Sequence, residues 1–314
     1  MKAKPFNLLG PSMIELNEGQ FRELCRDGRV QLQIETVEQK RRSALGRFWL
    51  LVLVAAVAGG LIGFGLIMSG GIALGLFAGS FILLGAILLA SRPLRQVGSD
   101  LKQPVLERVA ALGGLTYAAA DFEPPAFEDA RPLLFGKWLS EQTFTDLFTG
   151  TDAEGRRFAL YEATLARSSG KSRTIVFSGQ VYTFERRSGG GGPIAVLPDR
   201  GLFNFVKPGT AMERVAFDAD PAFEKSFEVY AVEPHQALLL IEGDARRALL
   251  DLRKGGRVYL HVGSQDVLVA VSGPNRFEAG SMFHARSGEE RARVMFDDLR
   301  ASLAVLDRLR ASLG

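Results

Sequence analysis

A chain of 314 residues with 47% hydrophobic and 23% charged side chains suits one sizeable domain with accessory segments. Its 38 Lys and Arg are mixed with 35 Asp and Glu, leaving a net charge of +3, and this argues against nucleic acid, whose binders carry a basic face or stripe. The single cysteine, Cys25, excludes an internal disulfide and a cysteine-built zinc site, and fits a reducing compartment.

Residues 12–46 read as a polar, mostly helical lead-in. Ser12 and Glu15 have capping-box spacing, Phe21, Leu24, Leu32 and Val37 supply a loose apolar face, and Gly19 and Gly28 argue against one unbroken helix. From Phe48 to Met68 runs an uncharged stretch, FWLLVLVAAVAGGLIGFGLIM, and a second follows from Ile72 to Ala90 with Ser80 as its polar interruption. At about 1.5 Å per residue each reaches roughly 30 Å, the thickness of a bilayer's hydrocarbon core. Buried helices of a soluble core are usually shorter and carry a polar edge, and a signal peptide begins earlier and is shorter.

The connector Ser69–Gly71 is too short for anything but antiparallel neighbours. Lys40, Arg41, Arg42 and Arg47 precede the first span, and Arg92, Arg95 and Lys102 follow the second. By the positive-inside rule both flanks and both termini are cytoplasmic. Trp49 stands where an interfacial aromatic belongs. Gly59 and Gly63, and Gly71, Gly75 and Gly79, recur at four-residue spacing and make small faces, for packing within the hairpin or against another subunit of a homo-oligomer. Neither span holds an ionisable residue, so the pair reads as an anchor and becomes a pore only if many copies assemble.

Beyond the spans, Leu101–Leu112 reads as a helix with Pro104 near its start, and Glu123–Pro132 as a link or short helix. Arg157–Ala166 and Arg173–Arg186 are strand-like and pair as a hairpin through Ser168–Lys171. The segment 194–197 is a further strand after the Gly189–Gly192 loop, and Met212–Phe217 another. Asp220-Pro221 starts a short helix and Glu233-Pro234 a longer one to about Lys254, with Ala237, Leu238, Ile241, Ala245, Leu249 and Leu252 at helical spacing. Arg257–Val262 and Val267–Val271 form a second hairpin. Ser287 and Glu290 cap a last helix whose stripe is Leu299, Leu303, Leu306 and Leu313. The expected fold is α+β: a two-helix transmembrane hairpin followed by a cytoplasmic domain with a mainly antiparallel, bent sheet and flanking helices. Its parts are a cytoplasmic lead-in (1–47), the hairpin (48–90), a helical linker (91–132) and the α+β domain (133–314).

The motifs FEKSFEVYAVEPHQALLLI (223–241) and VFSGQVYTF (176–184), with the paired spans before them, resemble the domain-of-unknown-function 3137 family of uncharacterised bacterial membrane proteins. The resemblance implies a bacterial inner-membrane protein and offers a LemA-like membrane protein as candidate partner. It brings no catalytic residue to carry over.

The residues point to no chemistry. Ser169-Gly170-Lys171-Ser172 looks like the end of a phosphate loop, but Leu165 stands where a glycine is needed and a strand follows. His235, His261 and His284 have no metal-ligand spacing and read as structural or surface residues, unless folding brings them together. Cys25 has no neighbouring His, and Asp297 and Asp298 point apart on a helix. No catalytic, cofactor or metal residue is therefore expected. Arg156, Arg157, Arg167, Lys171, Arg173, Arg186 and Arg187 lie near strand ends, and on one shared edge they would meet anionic lipid headgroups; otherwise they are solvated loop charges. Phe144, Phe148, Phe158, Phe177, Phe184, Phe203 and Phe205 line a cavity or fill a core. A non-enzymatic membrane-anchored interaction module is the first expectation, a tethered ligand- or lipid-binding domain the second, and an enzyme with a scattered site the third.

Overall fold

The computed structural model describes residues 16–170, 172–187, 190–199 and 211–314. The expected Ser12–Glu15 cap, Lys171, Phe203 and Phe205 lie outside the described residues. The chain divides into two compact units: Asn17–Val109 with Phe277–Asp297, and Ala110–Arg276 with Asp298–Gly314.

In the first of these, α1 (Glu18–Arg26) starts on a capping box. The Asn17 carboxamide oxygen accepts from the N–H of Gly19 and Gln20, and the Gln20 side chain accepts from Asn17 N–H at 2.8 Å. The helix ends at Asp27, whose carboxylate in turn accepts from Arg29 and Val30 N–H and so starts α2 (Gly28–Met68). The interruption expected from Gly28 is thus made by the preceding aspartate, a better N-cap than glycine. Both α2 and α3 (Ile72–Leu112) run 41 residues, ~60 Å each. They are joined by a Schellman turn. Gly70 has φ +91°, its N–H donates to Ile67 O at 3.0 Å, and Gly71 N–H donates to Leu66 O at 3.0 Å. Instead of a separate helix from Leu101, α3 continues through Pro93 and Pro104. Leu94, Val97, Leu101, Val105, Leu106 and Val109 are buried along it, and that packing outweighs the two lost N–H donors.

The other unit is built on a nine-stranded sheet, antiparallel throughout, with β1 (Thr116–Ala118), β2 (Glu141–Thr151), β3 (Arg157–Ser169), β4 (Ser172–Glu185), β5 (Ile194–Pro198), β6 (Glu213–Val215), β7 (Phe227–Ala231), β8 (Val258–Val262) and β9 (Asp266–Ser272). The strand order is β1-β2-β3-β4-β9-β8-β5-β7-β6. Against one face packs α4 (Phe127–Leu134), which sets Phe127, Ala130 and Leu134 into a core with Tyr161, Leu165, Phe177, Val181, Tyr259 and Leu268. On the opposite side of β4, Gln180 donates to Ser302 Oγ of α8 (Gly288–Leu313) at 3.2 Å. Helices on two faces explain why β3 and β4 read as apolar runs more than as clean alternations. α5 (Pro221–Glu224) starts on the expected Asp220 cap.

Two expectations need correction here. The helix expected over Glu233–Lys254 is two, α6 (Pro234–Leu240) and α7 (Gly243–Arg253). The chain leaves helical geometry at Ile241 (ψ 56°) and Glu242 (ψ −174°), and Ile241 is fully buried at the break. Strand β2 was absent from the expected elements. Asp146 has φ +57° and produces a bulge between Thr145 and Phe148, so the two halves of the strand are out of phase in their alternation.

Candidate functional site

Two glycine pairs hold α2 against α3. A Cβ on Gly63 would lie 2.9 Å from Gly75 O, and one on Gly75 2.5 Å from Gly63 O. Gly59 and Gly79 meet in the same way, at 3.1 and 3.0 Å. The small faces are therefore spent on packing within the hairpin, with the backbones in direct contact. The large side chains point the other way. Phe77 and Phe81 are 76% and 78% exposed, and Leu50, Leu53, Leu61, Phe64 and Leu74 are exposed with them. Both helices are long and apolar enough to cross a membrane. On α3, Leu74, Phe77, Ala78, Ser80, Phe81 and Leu84 line an open apolar groove of about 440 Å³.

The same unit contains a buried cation that sequence reading missed. Arg291, 2% exposed, donates to three backbone carbonyls of the segment before α8: Ala279 (2.7 Å), Ser281 (3.1 Å) and His284 (2.8 Å). Desolvation pulls its pKa below the ordinary arginine value. In the sequence GEERARV it looks like any solvated helix charge, and no local signal marks it. Arg41 is nearly as buried, bonds Glu38 twice at 2.8 Å, and donates to Met282 O. The bonds from Arg41, with burial opposing them, bring the Glu38 pKa down to about 2. Cys25 donates to Glu289, and burial first, then that carboxylate, push its thiol up to about 11, far from a reactive thiolate.

In the sheet unit the six described basic residues do not form one patch. The β3–β4 ladder pairs Phe158 with Phe184 near one end and Ser169 with Ser172 at the other. Arg156, Arg157, Arg186 and Arg187 therefore stand roughly 30 Å from Arg167 and Arg173. Most also have carboxylate or carbonyl partners. Arg156 bonds Asp152 and Glu154, Arg157 bonds Glu185 at 2.6 Å, Arg173 bonds Glu141 at 2.8 Å, Arg167 bonds Phe135 O, and Arg186 bonds Gly190 O and Gly263 O. Arg187 is exposed beyond the end of β4. Gly170 makes the turn before β4 at φ +58°.

The described phenylalanines of this unit fill the core. Phe148, Phe158, Phe177 and Phe184 are buried, and rings meet at 4.9 Å (Phe127–Phe144), 5.2 Å (Phe135–Phe177) and 5.0 Å (Phe135–Tyr259). Several buried polar groups in this unit bond to neighbouring residues. Tyr117 donates to Asp146 at 2.7 Å, Glu162 accepts from Arg276 N–H at 2.6 Å, and Asp152 accepts from Arg156 and Arg310. His261 is buried in β8, and desolvation lowers its pKa to about 4. His235 lies in the first turn of α6; His284 belongs to the other unit.

No curated protein matches this chain. Among solved structures, the crystal structure of the mycobacterial trehalose monomycolate transport factor A, TtfA, is similar over 65% of this chain and 96% of its own, at 12% identity and a TM-score of 0.34. That likeness is too slight to argue from. The paired spans lie outside the residues that the family model matches. Residues 175–311 match the family described as "Protein of unknown function (DUF3137)", the family that the sequence resembles.

Proposed function

We propose that this chain is a membrane-anchored binding protein whose ligand class is lipid, with α2 and α3 crossing the bilayer as a hairpin and both flanks on the cytoplasmic side. The observation that carries the reading is the division of the hairpin into two kinds of face. Glycines close the inside, and large apolar side chains are left outside. In water each exposed Phe would forgo about 2 kcal/mol of burial; in hydrocarbon it forgoes nothing. The basic residues before Phe48 and after Ala90 support the cytoplasmic placement of the flanks. The open apolar face along Leu74–Leu84, with Ser80 as its one hydroxyl, offers the chemistry that acyl chains contact.

The test is native mass spectrometry of the full chain in mild detergent. Lipid retained by the wild type and lost by Phe77→Ala/Phe81→Ala, with membrane integration intact, supports the reading. Equal retention by both contradicts it.

A second reading, a protein-interaction module, is favoured by Trp138 and Ile175, 84% and 52% exposed. Ile175 pairs with Ala166, and Ser140 N–H donates to Ala166 O, so Trp138 and Ile175 stand near the same end of the sheet. Exposed Trp is a favoured interface anchor. Crosslinking in membranes that also contain a LemA-like protein tests it directly. A crosslink lost in Trp138→Ala/Ile175→Ala favours it, and none in either protein removes it.

A further inference from the structure

The segment Phe277–Ser287 contains a turn whose backbone is gripped by two buried guanidinium groups. Arg291 holds the carbonyls of Ala279, Ser281 and His284, and Arg41 holds that of Met282. Burying a charged group is costly, and charge-assisted bonds to several carbonyls offset much of that cost only if the turn keeps this one geometry. So fixed, the turn directs Met282 inward, 5% exposed, where a Cβ on Gly98 would lie 3.5 Å from the Met282 methyl. It directs Phe283 outward, 47% exposed, edge-on to Phe48 at 4.9 Å. Phe48 in turn meets Trp49 at 5.3 Å, and Trp49 is 63% exposed.

This aromatic cluster stands at a defined level of the hairpin. Phe48 is the first residue of the uncharged stretch, directly after exposed Arg47. Continuing the register of the glycine pairs, Gly59 with Gly79 and Gly63 with Gly75, sets Phe48 opposite Ala90, the last residue of the second stretch. Both helices therefore change from apolar to charged at one plane, and Phe283 reaches it from the cytoplasmic side. Aromatic side chains favour that zone, where basic neighbours meet lipid phosphates. Arg286, exposed on the same turn, is such a neighbour.

We propose that the turn Gly280–Arg286 is a membrane-interface element, with Phe283 inserted beside Phe48 and Trp49 into the headgroup region of the bilayer that the hairpin crosses. The inference rests on the spanning reading above and adds a third point of attachment, supplied by residues far from the spans in sequence. It gives Arg291 a role: holding rigid a turn that would otherwise withdraw its aromatic residue from the interface.

The test uses the full chain reconstituted in vesicles of phosphatidylethanolamine and phosphatidylglycerol doped with brominated phosphatidylcholine. In a Trp49→Phe/Trp138→Phe background, Phe283→Trp provides the sole indole. Its emission should shift to shorter wavelength than that of an aqueous indole and be quenched more by bromines high on the acyl chain than by deep ones. Should that variant not fold, His284→Trp on the same exposed turn carries the same reading. Val57→Trp, exposed in the middle of the first span, separates the two ways of failing. Deep quenching at 57 with water-like, unquenched emission at 283 overturns the interface element alone. No quenching at either position overturns the spanning reading and the inference with it.

Discussion

Asp152 is fully buried at the side chain and carries two cationic partners, Arg156 and Arg310. Burial opposes its ionisation, but the Arg156 N–H at 2.7 Å and the two guanidinium charges hold its carboxyl below the usual range. Asp152→Asn leaves Arg310, 8% exposed, facing a neutral amide, and should cost about 3–5 kcal/mol in denaturant unfolding. Asp152→Asn/Arg310→Met should recover part of that loss. Because the folded pKa is depressed, this stabilisation is complete above the unfolded value of about 3.9 and is lost as pH falls through the folded pKa. His261 acts over a higher window. Kept neutral by burial down to about pH 4, it binds fewer protons folded than unfolded. Stability should therefore be full above about 6.5 and decline toward pH 4 by about 3 kcal/mol. His261→Leu should flatten the slope in urea unfolding between pH 7 and pH 5, and an unchanged slope would remove His261 from the account. A strand-end histidine gave no sign of this burial in the sequence, since β8 becomes a central strand only through pairing with the distant β5.

The hairpin depends on which glycines touch. Gly75→Ala places a methyl 2.5 Å from Gly63 O, a backbone atom that cannot step aside without moving the helix. It should cost about 1–3 kcal/mol of thermal stability in detergent. Gly85→Ala, with nothing within 4 Å, should be neutral or slightly stabilising. Equal effects of the two would refute the glycine-to-glycine contact. These helices were legible because charge is absent over whole spans and small residues recur at a fixed interval. The β3–β4 and β8–β9 hairpins were legible from their turns, and the α8 stripe from its spacing. β2 was hidden by the Asp146 bulge, and the α6–α7 break by an apolar spacing that continues across it, with Ala237, Ile241, Ala245 and Leu249 all buried. The basic residues could be found but not placed. Their grouping depends on strand length, and β3 and β4 are long enough to hold the two sets apart.

At the scale of the whole molecule, a nearly balanced charge conceals an uneven distribution of apolar residues. The apolar excess sits in two helices with exposed faces, and the sheet unit is an ordinary packed core with helices on two faces. The Phe283 turn was invisible in sequence because its meaning comes from Arg41 and Arg291, which look like surface charges until the chain folds. The account stands on the hairpin crossing the bilayer with both flanks on one side. Cysteine accessibility in right-side-out vesicles, in a Cys25→Ser background, tests this most directly. Ser69→Cys in the turn should react with an impermeant maleimide from outside, while Ser312→Cys near the C-terminus should react only after lysis. Labelling of both positions from the same side, or release of the protein by alkaline washing, would contradict the spanning hairpin.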